Sequence, residues 1–197
     1  METEILNYLS KYLHVPEELK EVISESTIVR HYPKGTVLLR EGERSNTSYF
    51  VLKGCVRSYA LQNGEEKTLE FYTEEDPILP VNYGTSALSE HFIECVEDCT
   101  LTVSTPEHEK RMFEEHPQFE SVCRIMSEVM LARSQESFVN YKLAGPADRY
   151  QFLLKHRPSL IQRIPQYQLA SYLGIQPESL SRLKKKMLKK DSQGLIS

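Results

Sequence analysis

Apolar side chains recur every three or four positions through Ile5, Leu6, Leu9 and Leu13, then from Pro16 to Val22 and Ile23, a spacing that predicts short helices. From about Ser26 to Ser104 the pattern changes to short runs rich in Val, Tyr, Thr and Phe: Thr36 to Leu39, Tyr49 to Leu52, Val56 to Leu61, Thr68 to Tyr72 and Leu101 to Val103. Gly35, Gly42, Gly54 and Asn63-Gly64 separate them. Many short strands at near-regular spacing predict a β-sandwich or barrel. Asn63-Gly64 predicts a tight hairpin, because both residues accept the positive φ of a type I′ turn.

Thr105-Pro106 reads as a helix cap followed by a first-turn proline, and helical spacing takes over from there. Phe119, Val122, Cys123, Ile125, Met126, Val129, Met130 and Leu131 form a wide apolar face that continues through Phe138, Tyr141 and Leu143 to Gly145-Pro146. A helix over that stretch would be about 40 Å long at ~1.5 Å per residue, longer than a small domain needs for its own core. Part of the face is therefore expected to form a dimer interface; covering the β-domain alone is the alternative. Ala147 to His156 and Pro165 to Lys190 are again helical in pattern.

Within that last stretch, Ile164 to Leu183 carries the pattern of two tightly crossing helices. Such a crossing needs a small residue at the contact, a positive-φ residue at the turn and apolar residues gripping a shared core. Ala170 supplies the first, Gly174 the second, and Leu169, Leu173, Ile175, Leu180 and Leu183 the third. Pro177 suits the first turn of the second helix and Glu178 the positive end of its dipole, while Gln176 is a mediocre cap. In a helix-turn-helix the second helix enters the major groove with its N-terminal residues toward base edges. Gln176, Glu178, Ser179 and Arg182 are the readout candidates, and Lys184, Lys185, Lys186, Lys189 and Lys190 the phosphate contacts. A plain helical hairpin with a solvated lysine face is the competing reading.

Charge favours the first reading. Residues 145–197 carry +7 and residues 1–144 carry −11, although the whole chain of 197 residues has a net charge of only −4. A basic module on an acidic body is a common footprint of nucleic-acid binding, since Lys and Arg gain affinity by releasing phosphate counterions. With 40% hydrophobic and 26% charged residues the composition excludes collagen-like, low-complexity and disordered classes. No apolar run approaches the roughly 20 residues of a membrane span, and Met1-Glu2-Thr3-Glu4 is acidic where a signal peptide is basic. No membrane association and a cytoplasmic location are expected. Cys55, Cys95, Cys99 and Cys123 are then expected as thiols, packed as small hydrophobes.

The order of these parts resembles the Crp/Fnr family of bacterial transcription regulators. Tyr32-Pro33-Lys34-Gly35, Glu41-Gly42, Tyr49 to Gly54 with Val56-Arg57, and Gly64-Glu65 are similar to the glycine framework of the cyclic-nucleotide-binding jelly roll. Gly145 to Arg149 is similar to the family's hinge, and Ile164 to Leu183 to its helix-turn-helix. The resemblance implies an α+β fold in three parts. Residues 1–116 would form a jelly-roll sensor domain, 117–144 a connecting and dimerisation helix, and 145–197 a winged-helix-like DNA-binding domain whose wing is reduced. It implies a homodimer on double-stranded operator DNA, with RNA polymerase as a candidate partner and a small-molecule effector of unknown identity.

The departures from that family pattern bear on the effector. Leu79-Pro80 stands where nucleotide binders carry Gly-Glu, about Leu88-Ser89 stands where they carry Arg-Ser, and no arginine lies between Lys67 and Lys110. A cyclic phosphate would lack its counter-charge, so cyclic AMP is not expected to bind, with Arg57 the one side chain that could substitute. Leu79, Tyr83, Leu88, Ser89, Ser134 and Gln135 remain the candidate effector pocket. Cys95-x-x-x-Cys99 lacks the further cysteines of an iron-sulfur site. No cofactor, catalytic constellation or metal site is implied. The rival readings are a constitutive regulator without ligand and a cupin-like metal protein; against the latter, His31, His91, His108, His116 and His156 form no His-x-His spacing.

Overall fold

Alternation along the strands builds the core. In the computed structural model, which describes residues 2–194, eight strands follow two short helices, α1 (Glu2–Ser10) and α2 (Glu17–Ser26). They are β1 (Ile28–Tyr32), β2 (Val37–Leu39), β3 (Ser48–Lys53), β4 (Val56–Gln62), β5 (Glu65–Tyr72), β6 (Pro77–Ile78), β7 (Phe92–Cys95) and β8 (Cys99–Ser104). One antiparallel sheet has the order β1-β8-β3-β6 and the other β2-β7-β4-β5, the strand order of a jelly roll. Tyr49 and Val51 of β3, Ile93 and Cys95 of β7, and Cys99 and Leu101 of β8 point inward with period two and meet Leu39, Val56 and Ile78 between the sheets.

The expected strands form, and three further ones join them. β1 carries polar Arg30 and His31, β6 is two residues long and β7 four, so none offers a long apolar alternation. Asn63 and Gly64 have φ of 55° and 79°, which makes the β4–β5 hairpin as expected. Gly54 is required by a close approach: it has φ of 109°, and a Cβ there would lie 2.7 Å from Cys99 Sγ and 2.8 Å from the Asp98 carbonyl.

Helix α3 (Pro106–Glu115) starts as the sequence suggests, with the Thr105 hydroxyl accepting from His108 N–H at 3.2 Å and proline in the first turn. Helix α4 (Gln118–Leu143) spans 26 residues. Its N-terminal half is committed within the chain: Val122, with Phe119 and Met126, packs against Leu9, Val15, Leu19 and Ile23 of the N-terminal helical segment. From Leu131 onward the described side chains are exposed, Leu131 and Phe138 by about 60% each. The two lie one heptad apart, on a face they share with Ser134 and Gln135. Cys55, Cys95 and Cys99 are buried free thiols as expected, whereas Cys123 on α4 is only partly buried, because it borders an open cavity.

The C-terminal part comprises α5 (Pro146–His156), α6 (Pro158–Arg163), α7 (Gln166–Leu173) and α8 (Pro177–Gly194). No wing strand follows α8 among the described residues. These helices do not stand apart from the jelly roll. Their core of Tyr150, Leu153, Leu160, Ile164, Leu169, Ala170, Leu173 and Leu180 is continuous with Cys55, Phe71 and Val96 of the β-domain. Helix α7 lies along β5, the edge strand of its sheet. Ser171 Oγ accepts from Thr68 N–H at 2.9 Å and donates to the Glu66 carbonyl at 3.2 Å, which occupies backbone groups that an edge strand otherwise leaves open.

Candidate nucleic-acid interface

Two positions fix the turn between α7 and α8. Gly174 ends α7 in the left-handed region (φ 72°, ψ 31°), and the next amide, Ile175 N–H, donates to the Ala170 carbonyl at 3.0 Å. Ala170, fully buried, is small enough for the two helices to close on it, and Leu169, Leu173 and Leu180 are buried around it, with Ile175 and Leu183 partly buried. A side chain at position 174 would have room, its Cβ 3.7 Å from the nearest atom, but not the backbone angle.

Because Leu180, Leu183 and Met187 face inward at helical spacing, α8 must present its other side outward. Gln176, Glu178, Ser179, Arg182, Lys185 and Lys186 are exposed on it. Lys184 is partly buried instead: its ammonium donates to Gln166 Oε1 at 2.5 Å, lies 5.8 Å from the Tyr150 ring centre, and is shifted down from the ordinary lysine pKa by burial. It braces α8 against its own domain. The side chains of Lys189 and Lys190, also expected at phosphates, lie outside the described residues. Lys67 of β5 borders a crevice with Ser171, Gly174, Ile175, Gln176 and Ser179, so the β4–β5 hairpin stands beside the N-terminus of α8.

Not all of the basic tail faces outward. Arg157 reaches Glu70 Oε1 and Asp76 Oδ2, both at 3.3 Å, and donates to the Phe71 carbonyl at 2.8 Å. Arg163 pairs with Glu74 at 2.7 Å and also with Glu97. These carboxylates hold the guanidinium proton and push the Arg163 pKa further up. The Tyr172 hydroxyl donates to Glu70 Oε1 at 3.1 Å. Part of the acidic-body, basic-tail asymmetry thus docks the tail on the body. Sequence reasoning missed Arg157, Arg163, Ser171 and Tyr172 as docking residues, since their partners lie 66 to 105 positions away.

Arg149 links the long helix to the same unit. It stacks 3.6 Å from the Tyr141 ring centre, donates to the Tyr141 carbonyl at 2.9 Å and to the Leu173 carbonyl at 3.3 Å. The last turn of α4 is thereby joined to the last turn of α7.

The candidate effector residues are not gathered around one cavity. Leu79 and Leu88 are about half exposed. Tyr83 donates to Glu109 at 2.8 Å, and buried Ser89 spends its hydroxyl on the His91 backbone, donating to the carbonyl at 2.8 Å and accepting from the amide at 3.1 Å. Ser134 and Gln135 are exposed on α4. Arg57 is already neutralised: buried on β4, it pairs with Glu94 at 2.6 Å and Glu66 at 2.7 Å and lies 4.2 Å from the Tyr59 ring centre. The Gln168 amide, with its oxygen toward Arg57, accepts at 3.2 and 3.3 Å, so this arginine faces α7. Among the described residues no group of three or more His, Cys, Asp or Glu side chains is placed to hold a metal, and no helix is long and apolar enough to cross a membrane.

A jelly roll that feeds a long helix and then a helix-turn-helix is the architecture of a regulator with a sensor domain. Residues 29–116 match the cyclic nucleotide-binding domain family. The global regulator CLP of Xanthomonas campestris, described as c-di-GMP responsive, has a similar structure, with a TM-score of 0.64 at 18% identity over 85% of this chain and 89% of that one. FixK2 of Bradyrhizobium japonicum gives a TM-score of 0.67 at 18% identity, covering 84% and 86%. The catabolite activator protein of Thermus thermophilus gives 0.56 at 18%, covering 93% and 88%. No curated protein sequence matches the chain. The chain has the Crp/Fnr fold, and its residues 29–116 belong to the cyclic nucleotide-binding domain family.

Proposed function

We propose that the protein is a homodimeric, sequence-specific transcription regulator acting on cytoplasmic DNA, with the exposed face of α8 as its reading surface. The observation that carries this is the Gly174 turn, which presents Gln176, Glu178, Ser179 and Arg182 outward ahead of Lys185 and Lys186. Arg182 can pair bidentately with guanine, Glu178 can accept from cytosine N4 and Gln176 can address adenine. Lys185 and Lys186 supply affinity at phosphates without sequence information, with Lys184 held back as a brace. Two copies of α8 about a two-fold axis would meet successive major grooves about 34 Å apart, on half-sites centred about 10 base pairs apart.

Selection from random duplexes, followed by anisotropy titration on the selected site, tests this reading. Arg182→Ala is expected to cost about 1–3 kcal/mol on the best site and to relax discrimination at one base pair per half-site. Lys185→Ala is expected to weaken all sequences alike and to flatten the salt dependence by roughly one unit. Selection that returns no common sequence, or equal losses for the two variants on all duplexes, overturns the assignment.

The signal in this reading is not a cyclic nucleotide. Burying a cyclic phosphate without a paired cation costs several kcal/mol, and Arg57 is held by two carboxylates and turned toward α7. Arg44, whose backbone pairs with Leu88, is the cation that the fold brings to the β6–β7 loop, and its side chain is exposed. Calorimetry with millimolar cyclic AMP is expected to show no low-micromolar binding. A low-micromolar dissociation constant with a matching rise in operator affinity overturns this and makes Arg44 the first counter-ion to test.

A further inference from the structure

The apolar cavity that the structure does contain lies outside the jelly roll, between the β1-β8-β3-β6 sheet, α1, α2 and the first half of α4. It has a volume of about 230 Å³. Phe50 and Val103 of the sheet, Tyr8 and Ile23 of the N-terminal helices, and Cys123 and Met130 of α4 are among its walls. None of the candidate effector residues named from sequence lines it.

Two features indicate an occupant. Tyr8 is buried, yet its hydroxyl has no partner within hydrogen-bond distance. Its ring is held between Phe50 and Tyr12, with centroids at 5.1 and 5.4 Å, and the neighbouring Tyr12 hydroxyl is engaged by Arg133. Leaving a phenol unsatisfied in an apolar setting carries a desolvation cost that a ligand acceptor would remove. Burial pushes the Tyr8 pKa up to about 12, so at neutral pH it is a donor. The second feature is charge. The lining contains no lysine or arginine among the described residues, and its one carboxylate, Glu109, already accepts from Tyr83 at 2.8 Å and Ser48 at 3.2 Å. Nothing there would compensate an anion, so the occupant is neutral.

We propose that this cavity binds a neutral, mainly apolar small molecule of about 10–15 non-hydrogen atoms that carries one carbonyl-type acceptor, received by the Tyr8 hydroxyl. Such a ligand would touch Phe119, Val122, Cys123, Met126 and Met130, five positions on α4, at the end of the helix that is anchored within the chain. Its role as effector rests on the regulator reading above; the binding itself does not.

The test uses three probes of nearly equal size: valerophenone, pentylbenzene, which lacks the carbonyl, and 5-phenylvalerate, which is an anion. Calorimetry on the full chain, without DNA, is expected to give valerophenone a dissociation constant of about 10–100 micromolar, with pentylbenzene about tenfold weaker and phenylvalerate weaker still. Tyr8→Phe is expected to abolish the preference for valerophenone over pentylbenzene while retaining pentylbenzene binding. Cys123→Phe is expected to block all three, with unchanged circular dichroism. No binding of valerophenone at 1 millimolar, an undiminished carbonyl preference in Tyr8→Phe, or a preference for phenylvalerate overturns the proposal. Loss of operator binding with intact probe binding would remove the regulator reading and leave the site standing.

Discussion

Replacing Leu131 and Phe138 together by glutamate is expected to leave a folded monomer whose affinity for a two-fold symmetric operator falls by about 100- to 10,000-fold. The two side chains are about 60% exposed on a half-helix that no other part of the chain covers, so their replacement removes no internal packing. In a dimer built on this face each glutamate would be buried against an apolar partner without a counter-charge, which association cannot tolerate. The loss on DNA follows from linkage of two binding events, since the second half-site is reached at an effective concentration that a free monomer lacks. Light scattering at micromolar concentration and anisotropy on the selected operator read the two consequences separately. A monomeric wild-type protein with full operator affinity would refute the dimer, and a variant that remains dimeric would move the interface elsewhere.

Phe71→Ala is expected to lower the unfolding free energy by about 3–5 kcal/mol, the range for emptying a large buried aromatic site. Phe71 belongs to a strand of the jelly roll, yet it is buried in the core of the C-terminal helices, edge-to-face with Tyr172 at a centroid distance of 5.4 Å. The truncation therefore acts on the contact between the two parts as well as on local packing. Urea unfolding followed by circular dichroism measures the loss. The Arg157 and Arg163 pairs, all partly exposed, are expected to add little to that total, because solvent screens ion pairs of this kind. A cost under about 1 kcal/mol for Phe71→Ala would mean that the helices do not depend on this contact. A more-than-additive loss on combining it with Arg157→Ala would show that packing and charge hold one interface.

Some of the architecture was legible because it depends on neighbours in sequence. Positive φ at Asn63, Gly64 and Gly174, the Thr105-Pro106 helix start and the inward spacing of Leu169, Leu173, Leu180 and Leu183 follow from steric rules and periodicities acting over a few residues. The readout face of α8 was legible for the same reason: once the apolar stripe is fixed, the opposite side is fixed too. Strands β1, β6 and β7 were not legible, since Ile28–Tyr32 is interrupted by polar residues and Pro77–Ile78 is too short to show a period. Val56 to Tyr59 are buried at four successive positions, which a strand with one solvated face would not show; the C-terminal helices cover the second face.

The sequence by itself determined the local geometry: the order of strands and helices, the turn between α7 and α8, and the asymmetry of charge. What that charge does was decided only in three dimensions. Arg157 and Arg163 look like further members of a basic tail, but each finds carboxylates more than 60 positions away and is spent on docking. Arg57 looks like a spare cation for a phosphate and is instead closed off by Glu66, Glu94 and Gln168. Tyr8 looks like one more residue of an amphipathic helix, and only the approach of Phe50 and Met130 from elements far along the chain turns it into the wall of a cavity. The physical reason is the same in each case. Backbone angle and periodicity are set by adjacent residues, whereas the fate of a charge or a hydroxyl is set by which distant groups the packed chain brings within hydrogen-bond distance and by how much water it leaves between them.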